Sequence, residues 1–198
     1  MADFTAHVAE HLVLAFSALA LALAAGLPLG VIAAESPRLR GTVLAFAGIG
    51  RTLPSLAVLM LLVPWLGVGA TPAIVALALL AIPPIAISVE VGIRGVPLPA
   101  LDAATGMGMT RLQRFVRVVI PFALPVSFAG LRTAMTETIA SATLATFIGA
   151  GGLGDEIVRG LQTDDSPLLF TAAGVVAALA LAADLVLSLA GRFTAVRA

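Results

Sequence analysis

The chain has 198 residues, of which 60% are hydrophobic and only 11% charged; its formal net charge is zero and its mean hydropathy +1.11. A soluble domain carries about 25% charged residues, so a water-facing globule is excluded, and a net charge of zero argues against nucleic acid as a partner. There is no cysteine for a disulfide or thiolate metal site, and two histidines, His7 and His11, leave no basis for a metal centre elsewhere.

Between short charged stretches lie apolar blocks of about 18 residues or more, the length that reads as a membrane span. Five spans are expected in an all-α membrane protein, a single transmembrane domain over 1–198. The first, 11–34, follows ten residues carrying acids and histidine rather than the positive start of a cleavable signal peptide. It contains Gly26-Leu27-Pro28-Leu29-Gly30 and ends at the charged turn Glu35 to Arg40. The second, 42–66, crosses Arg51 and Pro54; the third, 73–93, holds Pro83-Pro84 near its middle. A polar segment from Arg94 to Arg117 precedes the fourth, 121–148, and a glycine run with an acidic stretch separates that from the fifth, 167–189. Proline removes a backbone donor and crowds the preceding turn, so the first three spans are expected to be broken.

Basic residues set the orientation. With the N-terminus outside, the inner segments hold Arg38, Arg40, Arg94, Arg111, Arg114, Arg117, Arg192 and Arg197. The outer segments hold Arg159 alone, among Asp3, Glu10, Asp155, Glu156, Asp164 and Asp165. The expected topology is N-terminus outside, C-terminus cytoplasmic, in the cell membrane. Five spans are few for a whole transporter, so a second copy or a sister subunit is expected.

The stretch Pro97 to Pro125, PLPALDAATGMGMTRLQRFVRVVIPFALP, is the most informative. Asp102-Ala103-Ala104 reads as a short helix with an acid in its first turn, where the dipole favours it. Gly108 ends that helix, and a basic amphipathic segment follows, with Arg111, Arg114 and Arg117 on one face and Leu112, Phe115, Val118 and Val119 on another. A lipid-surface loop would explain the arginines but not the acid–Ala–Ala–turn–Gly arrangement before them.

This pattern resembles the cytoplasmic loop of ABC importer permeases: E-A-A, three residues, G, nine residues, I, one residue, L-P. Here the series is Asp102-Ala103-Ala104, then Gly108, Val118, Val119, Ile120 and Pro121, with the spacing kept and Asp, Val and Ile as substitutes. The resemblance implies a fold like that of type I importer permeases. In it Leu101, Asp102, Ala103, Ala104 and Gly108 form a coupling helix that docks on a separate cytoplasmic ATPase. It also implies that ATP is used by that partner and that an extracytoplasmic protein captures the solute. The chain itself has no G-x-x-x-x-G-K-[ST] loop and no Lys to complete one, so it is expected to be a permease rather than an enzyme and to bind no cofactor.

Further stretches resemble osmoprotectant permeases, importers of glycine betaine, carnitine or choline. These are Gly50-Arg51-Thr52-Leu53-Pro54-Ser55-Leu56-Ala57, Gly106 to Thr110, Ala123 to Ala134, and Phe147 to Gly154 with Ile157 and Arg159-Gly160-Leu161. Methionine-importer permeases share a similar glycine run and are the alternative. With one Trp, no Tyr and nine Phe, the chain offers little for an aromatic cage around a quaternary ammonium.

Ionisable groups inside a bilayer are costly and default to functional candidates. In the fourth span Thr133, Glu137 and Ser141 recur every four residues, and Thr136 and Thr143 lie seven apart on a neighbouring face. This stripe is the candidate pathway lining; the alternative is that the hydroxyls bond their own helix carbonyls. Glu90 and Arg94 are spaced to pair on one helix, and Arg51 has Glu137 or Asp184 as partners across helices. A secondary transporter would predict a denser set of intramembrane acids or histidines, and a membrane enzyme a paired catalytic constellation; neither is present in the spans.

Overall fold

The computed structural model describes residues 2–194, with side chains from 4 to 192, so Arg197 and the side chain of Asp3 lie outside the described residues. The described chain is helical. α1 (Ala2–Glu35), α4 (Ala70–Arg94) and α9 (Ser166–Thr194) are long apolar helices. α2 (Pro37–Thr52) and α3 (Ser55–Leu66) form a bent pair; α5 (Leu98–Gly106) and α6 (Arg111–Arg114) follow α4. α6 continues through a π turn, Phe115–Val119, into α7 (Ile120–Ala142), which ends in a 3-10 segment, Thr143–Ile148; α8 (Leu153–Gln162) precedes α9. Four helical runs are long and apolar enough to cross a membrane, Phe4–Glu35, Ala70–Arg94, Arg111–Ile148 and Ser166–Arg192, and the α2–α3 pair, bent by 102°, is apolar enough to be a fifth when the two are taken as one broken span.

The expected breaks fall in one place only. α1 runs unbroken through Pro28, because Gly26 and Gly30 press against α4: a Cβ on Gly30 would lie 2.6 Å from Val89 Cβ and 2.7 Å from the Ala86 carbonyl oxygen. The glycines are there for close helix contact, which small residues permit inside a bilayer. α4 likewise carries Pro83-Pro84 without a break. The second span, expected as one helix over 42–66, is two helices meeting at 102° across Leu53-Pro54. Pro54 cannot donate to the preceding turn and forces Leu53 into extended backbone, ψ 130°, so α2 has to stop.

α4 is the hub, packed against α1, α7, α2 and α3. Its contact with α7 is closest at Gly130, where a Cβ would meet Ser88 Oγ at 1.7 Å and the Pro84 carbonyl oxygen at 2.5 Å. Leu19, Ala22, Leu77, Ile85, Met135 and Ile139 form the interior of the bundle, with Leu153 of α8 closing one end. Large apolar side chains such as Phe16, Phe46, Trp65, Phe170 and Leu181 point outward, as expected of a surface that faces lipid or another membrane subunit.

Two ends are well defined. At one, Glu35 pairs with Arg111 at 2.6 Å and Arg40 with Glu90 at 2.6 Å. At the other, His7 of α1 meets Glu156 of α8 at 2.7 Å, and the Gly69 N–H donates to the Ile148 carbonyl at 2.7 Å.

Candidate functional site

The loop after α4 builds a projecting helix. Pro97 and Pro99 open α5, which therefore starts at Leu98; Asp102 sits past the first turn rather than in it. Asp102 and Ala103 are exposed, Ala104 is buried against the body, and Leu101 is half-buried. Gly108 has φ +73°, the left-handed conformation that glycine adopts without strain, and a Cβ there would touch nothing. Glycine thus suits the backbone, while the space beside it stays open.

The return strand of the loop is capped locally. Thr110 Oγ1 accepts from the Gln113 N–H, and Gln113 Oε1 accepts from the Thr110 N–H at 2.9 Å, a reciprocal box that starts α6. Arg114 donates to Thr105 Oγ1 at 3.2 Å, tying α6 to the end of α5. The basic segment expected as a separate amphipathic stretch is the beginning of the fourth membrane-spanning helix. The π turn lies directly before Pro121, whose ring crowds the carbonyl four residues back, and the widened turn relieves that. Between α5, α6, α1 and α4 lies an open groove of about 720 Å³, lined among others by Glu35, Leu101, Asp102, Arg111 and Phe115.

A second, smaller cavity of about 260 Å³ opens at the α2–α3 elbow. Gly50, Arg51, Leu53 and Ser55 contribute one wall, Leu77, Leu80 and Ala81 of α4 another, and Glu137, Thr138 and Ser141 of α7 the third. It exists because α2 ends at Thr52, whose hydroxyl donates to the Ile49 carbonyl at 2.8 Å, and α3 leaves at a steep angle. Gly50 allows α2 to touch α4 here, since a Cβ would sit 3.0 Å from Pro83 Cγ.

The candidate pathway residues divide at this cavity. Glu137 and Ser141 line it, one turn apart. Thr133, Thr136 and Thr143 do not, and their hydroxyls donate to carbonyls of their own helix, at Ala129 (3.2 Å), Arg132 and Thr133 (3.0 Å each) and Ala140 (2.7 Å). Sequence periodicity missed Thr138, which is buried and also lines the cavity. It bonds the Ala134 carbonyl at 2.6 Å and gives no amphipathic signal of its own.

Several other charges are paired. Glu90, 2% exposed, takes Arg40 at 2.6 Å as well as its expected neighbour Arg94 at 3.4 Å. Asp184 is gripped by both Nε and Nη2 of Arg132, at 2.9 and 2.8 Å, so it is Arg132 rather than Arg51 that reaches across to α9. The glycine run and acidic stretch, which the sequence leaves without a helix of its own, contain α8, an amphipathic helix with Glu156 fully buried. Glu156 also bonds Arg159, and Glu10 accepts from the Gly152 N–H at 3.1 Å. Buried His11 holds the Ile139 carbonyl at 3.0 Å. Among the described residues no group of three metal-ligating side chains occurs.

The described chain is thus a helical bundle with a hub helix, one projecting loop helix and a polar cavity at a broken span. Its fold is similar to that of a chain in the inward-facing MetNI methionine ABC transporter: TM-score 0.88, 24% identity, 99% of this chain and 98% of the other covered. A chain of an amino acid ABC transporter solved with histidines gives a TM-score of 0.80 at 21% identity, over 96% of this chain and 92% of that one.

Residues 26–195 match the family described as binding-protein-dependent transport system inner membrane component, and the chain belongs to it. Relatives in sequence carry narrower names. The carnitine transport permease protein OpuCB of Listeria monocytogenes is 40% identical over 178 residues, 90% of this chain and 82% of the relative. The choline transport system permease protein OpuBB of Bacillus subtilis is 41% identical over 183 residues, 92% and 84%. The osmoprotectant import permease protein OsmY of Salmonella typhimurium is 39% identical over 186 residues, 92% and 78%. The chain is therefore a multi-pass membrane permease of the ABC-importer type.

Proposed function

We propose that this permease carries a quaternary-ammonium osmoprotectant such as glycine betaine, carnitine or choline across the cell membrane. The observation that carries this reading is the identity of about 40%, along nearly the whole chain, with permeases named for those solutes. The same relatives favour it over a methionine permease, because the likeness to the methionine transporter is one of fold.

In this reading α5, with Leu101, Asp102, Ala103, Ala104 and Gly108, docks in a groove of a cytoplasmic ATPase, which binds and hydrolyses the ATP. Exposed Asp102 and Ala103 offer the contact face, and the open space beside Gly108 admits the partner's surface. The N-terminus lies outside, where an extracytoplasmic binding protein delivers the solute. A second permease copy or a sister subunit completes the pathway, which runs past Glu137 and Ser141, with Thr133, Thr136 and Thr143 on the same helix.

The test is uptake of labelled glycine betaine and methionine by the complete transporter in a transport-deficient host, at high and low osmolarity. Betaine uptake that disappears in Gly108→Asp, with the complex still in the membrane, is the expected result. Methionine uptake would move the solute, and uptake that persists without the ATPase would overturn the importer reading.

A further inference from the structure

Within the membrane-spanning interior, ionisable side chains are balanced almost everywhere. Glu90 has Arg40 and Arg94, Asp184 has Arg132, Glu10 has the Gly152 N–H, and His11 has the Ile139 carbonyl. Two are left. Arg51 and Glu137 line the same open cavity, are both exposed to it on this chain, carry opposite charges, and form no ion pair with each other or with any other described residue. An unpaired charge at membrane depth is expensive and is retained where it faces a wet cavity or a charged ligand. Two opposite charges that face one cavity without touching are what a solute carrying both signs would complete.

We propose that Arg51 and Glu137 form a two-ended site for a zwitterionic solute. The Arg51 guanidinium takes the solute's carboxylate, and the Glu137 carboxylate takes its quaternary ammonium; this rests on the reading of Glu137 and Ser141 as pathway lining. A guanidinium presents two parallel N–H donors to a carboxylate, a geometry that lysine lacks. Ser55, the first residue of α3, lies on the same wall as Arg51, so the positive end of that helix adds to the anion-favouring side. A quaternary ammonium has no N–H to donate, so it needs a negative charge or an aromatic face. No aromatic side chain lines this cavity, which leaves Glu137 for that end.

At about 30 Å³ per water in the liquid, an open cavity of about 260 Å³ has room for a small solute. Charge contact at each end, without a closed aromatic cage, gives weak holding, which suits a place that a solute must leave again.

The experiment uses the complete complex in proteoliposomes and measures glycine betaine uptake at saturating binding protein. Arg51→Gln should lower uptake at least about 10-fold, the scale of one charge-assisted hydrogen bond. Glu137→Gln should lower it on the same scale by removing the charge attraction, and Arg51→Lys, which keeps the charge but not the two parallel donors, should recover only part of the loss. Co-purification with the ATPase measures assembly in every variant. If both neutral variants stay within about twofold of wild type while Ser141→Trp blocks uptake, the cavity is a pathway but not a zwitterion site, and the proposal falls alone. If Ser141→Trp also transports normally, the pathway reading falls and takes the proposal with it. If Arg51→Gln and Arg51→Lys alike fail to assemble, Arg51 has a packing role and the proposal is overturned.

Discussion

Glu90 offers the sharpest test of how the loop-bearing end is held. Its carboxylate is 2% exposed, yet both partners are about half exposed, Arg40 at 43% and Arg94 at 49%. Glu90→Gln keeps the shape and removes the charge. The bond from Arg40 Nε, 2.6 Å long, changes from charge-assisted to neutral, a loss of about 1–1.5 kcal/mol. Arg94 at 3.4 Å is a longer contact, and its exposed head can regain water, so it adds a few tenths at most. The sum is about 1–2 kcal/mol, which for a chain of this size lowers Tm by about 2–8 °C.

Arg40 belongs to the first turn of α2, and Arg94 ends α4 immediately before α5. Loosening Glu90 should therefore also lower uptake per ATP hydrolysed. The assay is thermal unfolding of the purified complex together with the uptake-to-ATPase ratio in proteoliposomes. A double-mutant cycle with Arg40→Gln should return a coupling of about 1 kcal/mol. A Glu90→Gln complex that keeps both its Tm and its ratio, with no coupling to Arg40, would refute the reasoning.

Three further outcomes are expected. Gly130→Val should reduce the yield of folded complex strongly, because its side chain would overlap Ser88 and the Pro84 carbonyl; a backbone oxygen 2.5 Å away cannot rotate clear, and detergent-solubilised size-exclusion profiles read this directly. Gly108→Asn should leave thermal stability nearly unchanged, since asparagine tolerates φ +73° and the space is open, but should weaken ATPase co-purification. Arg132→Asp and Asp184→Arg should each lower membrane expression, and the double swap should restore it, because the pair faces across α7 and α9 at 2.8–2.9 Å; equal losses in all three would deny the contact.

Much of this was legible in the sequence for physical reasons. Apolar length fixed the spans, and the acid–Ala–Ala–Gly spacing located α5 because a short helix needs a stop, which Gly108 supplies through its φ. Composition could not tell a proline that breaks a helix from one that does not. Pro28 sits between glycines pressed against α4 and Pro83 is buried within α4, and both helices continue, whereas at Pro54 the preceding Leu53 is extended and α2 stops. Periodicity also left the hydroxyl stripe open between two readings: a threonine on the candidate face can spend its hydroxyl on its own backbone, as Thr133 and Thr136 do. Partners distant in the chain, such as Arg132 with Asp184 or Arg40 with Glu90, leave no local trace.

The lock between α1 and α8 bears on how the protein is made. His7 and Glu156 are 149 positions apart, and Glu10 and the Gly152 N–H 142 apart. When α1 leaves the ribosome and enters the lipid, its polar first turns have no counterpart, because α8 is still unwritten. They must wait in an aqueous setting until about 140 further residues have been synthesised. The closing step therefore joins an early segment to a much later one, and a chain truncated before Leu153 should insert yet remain open at that end.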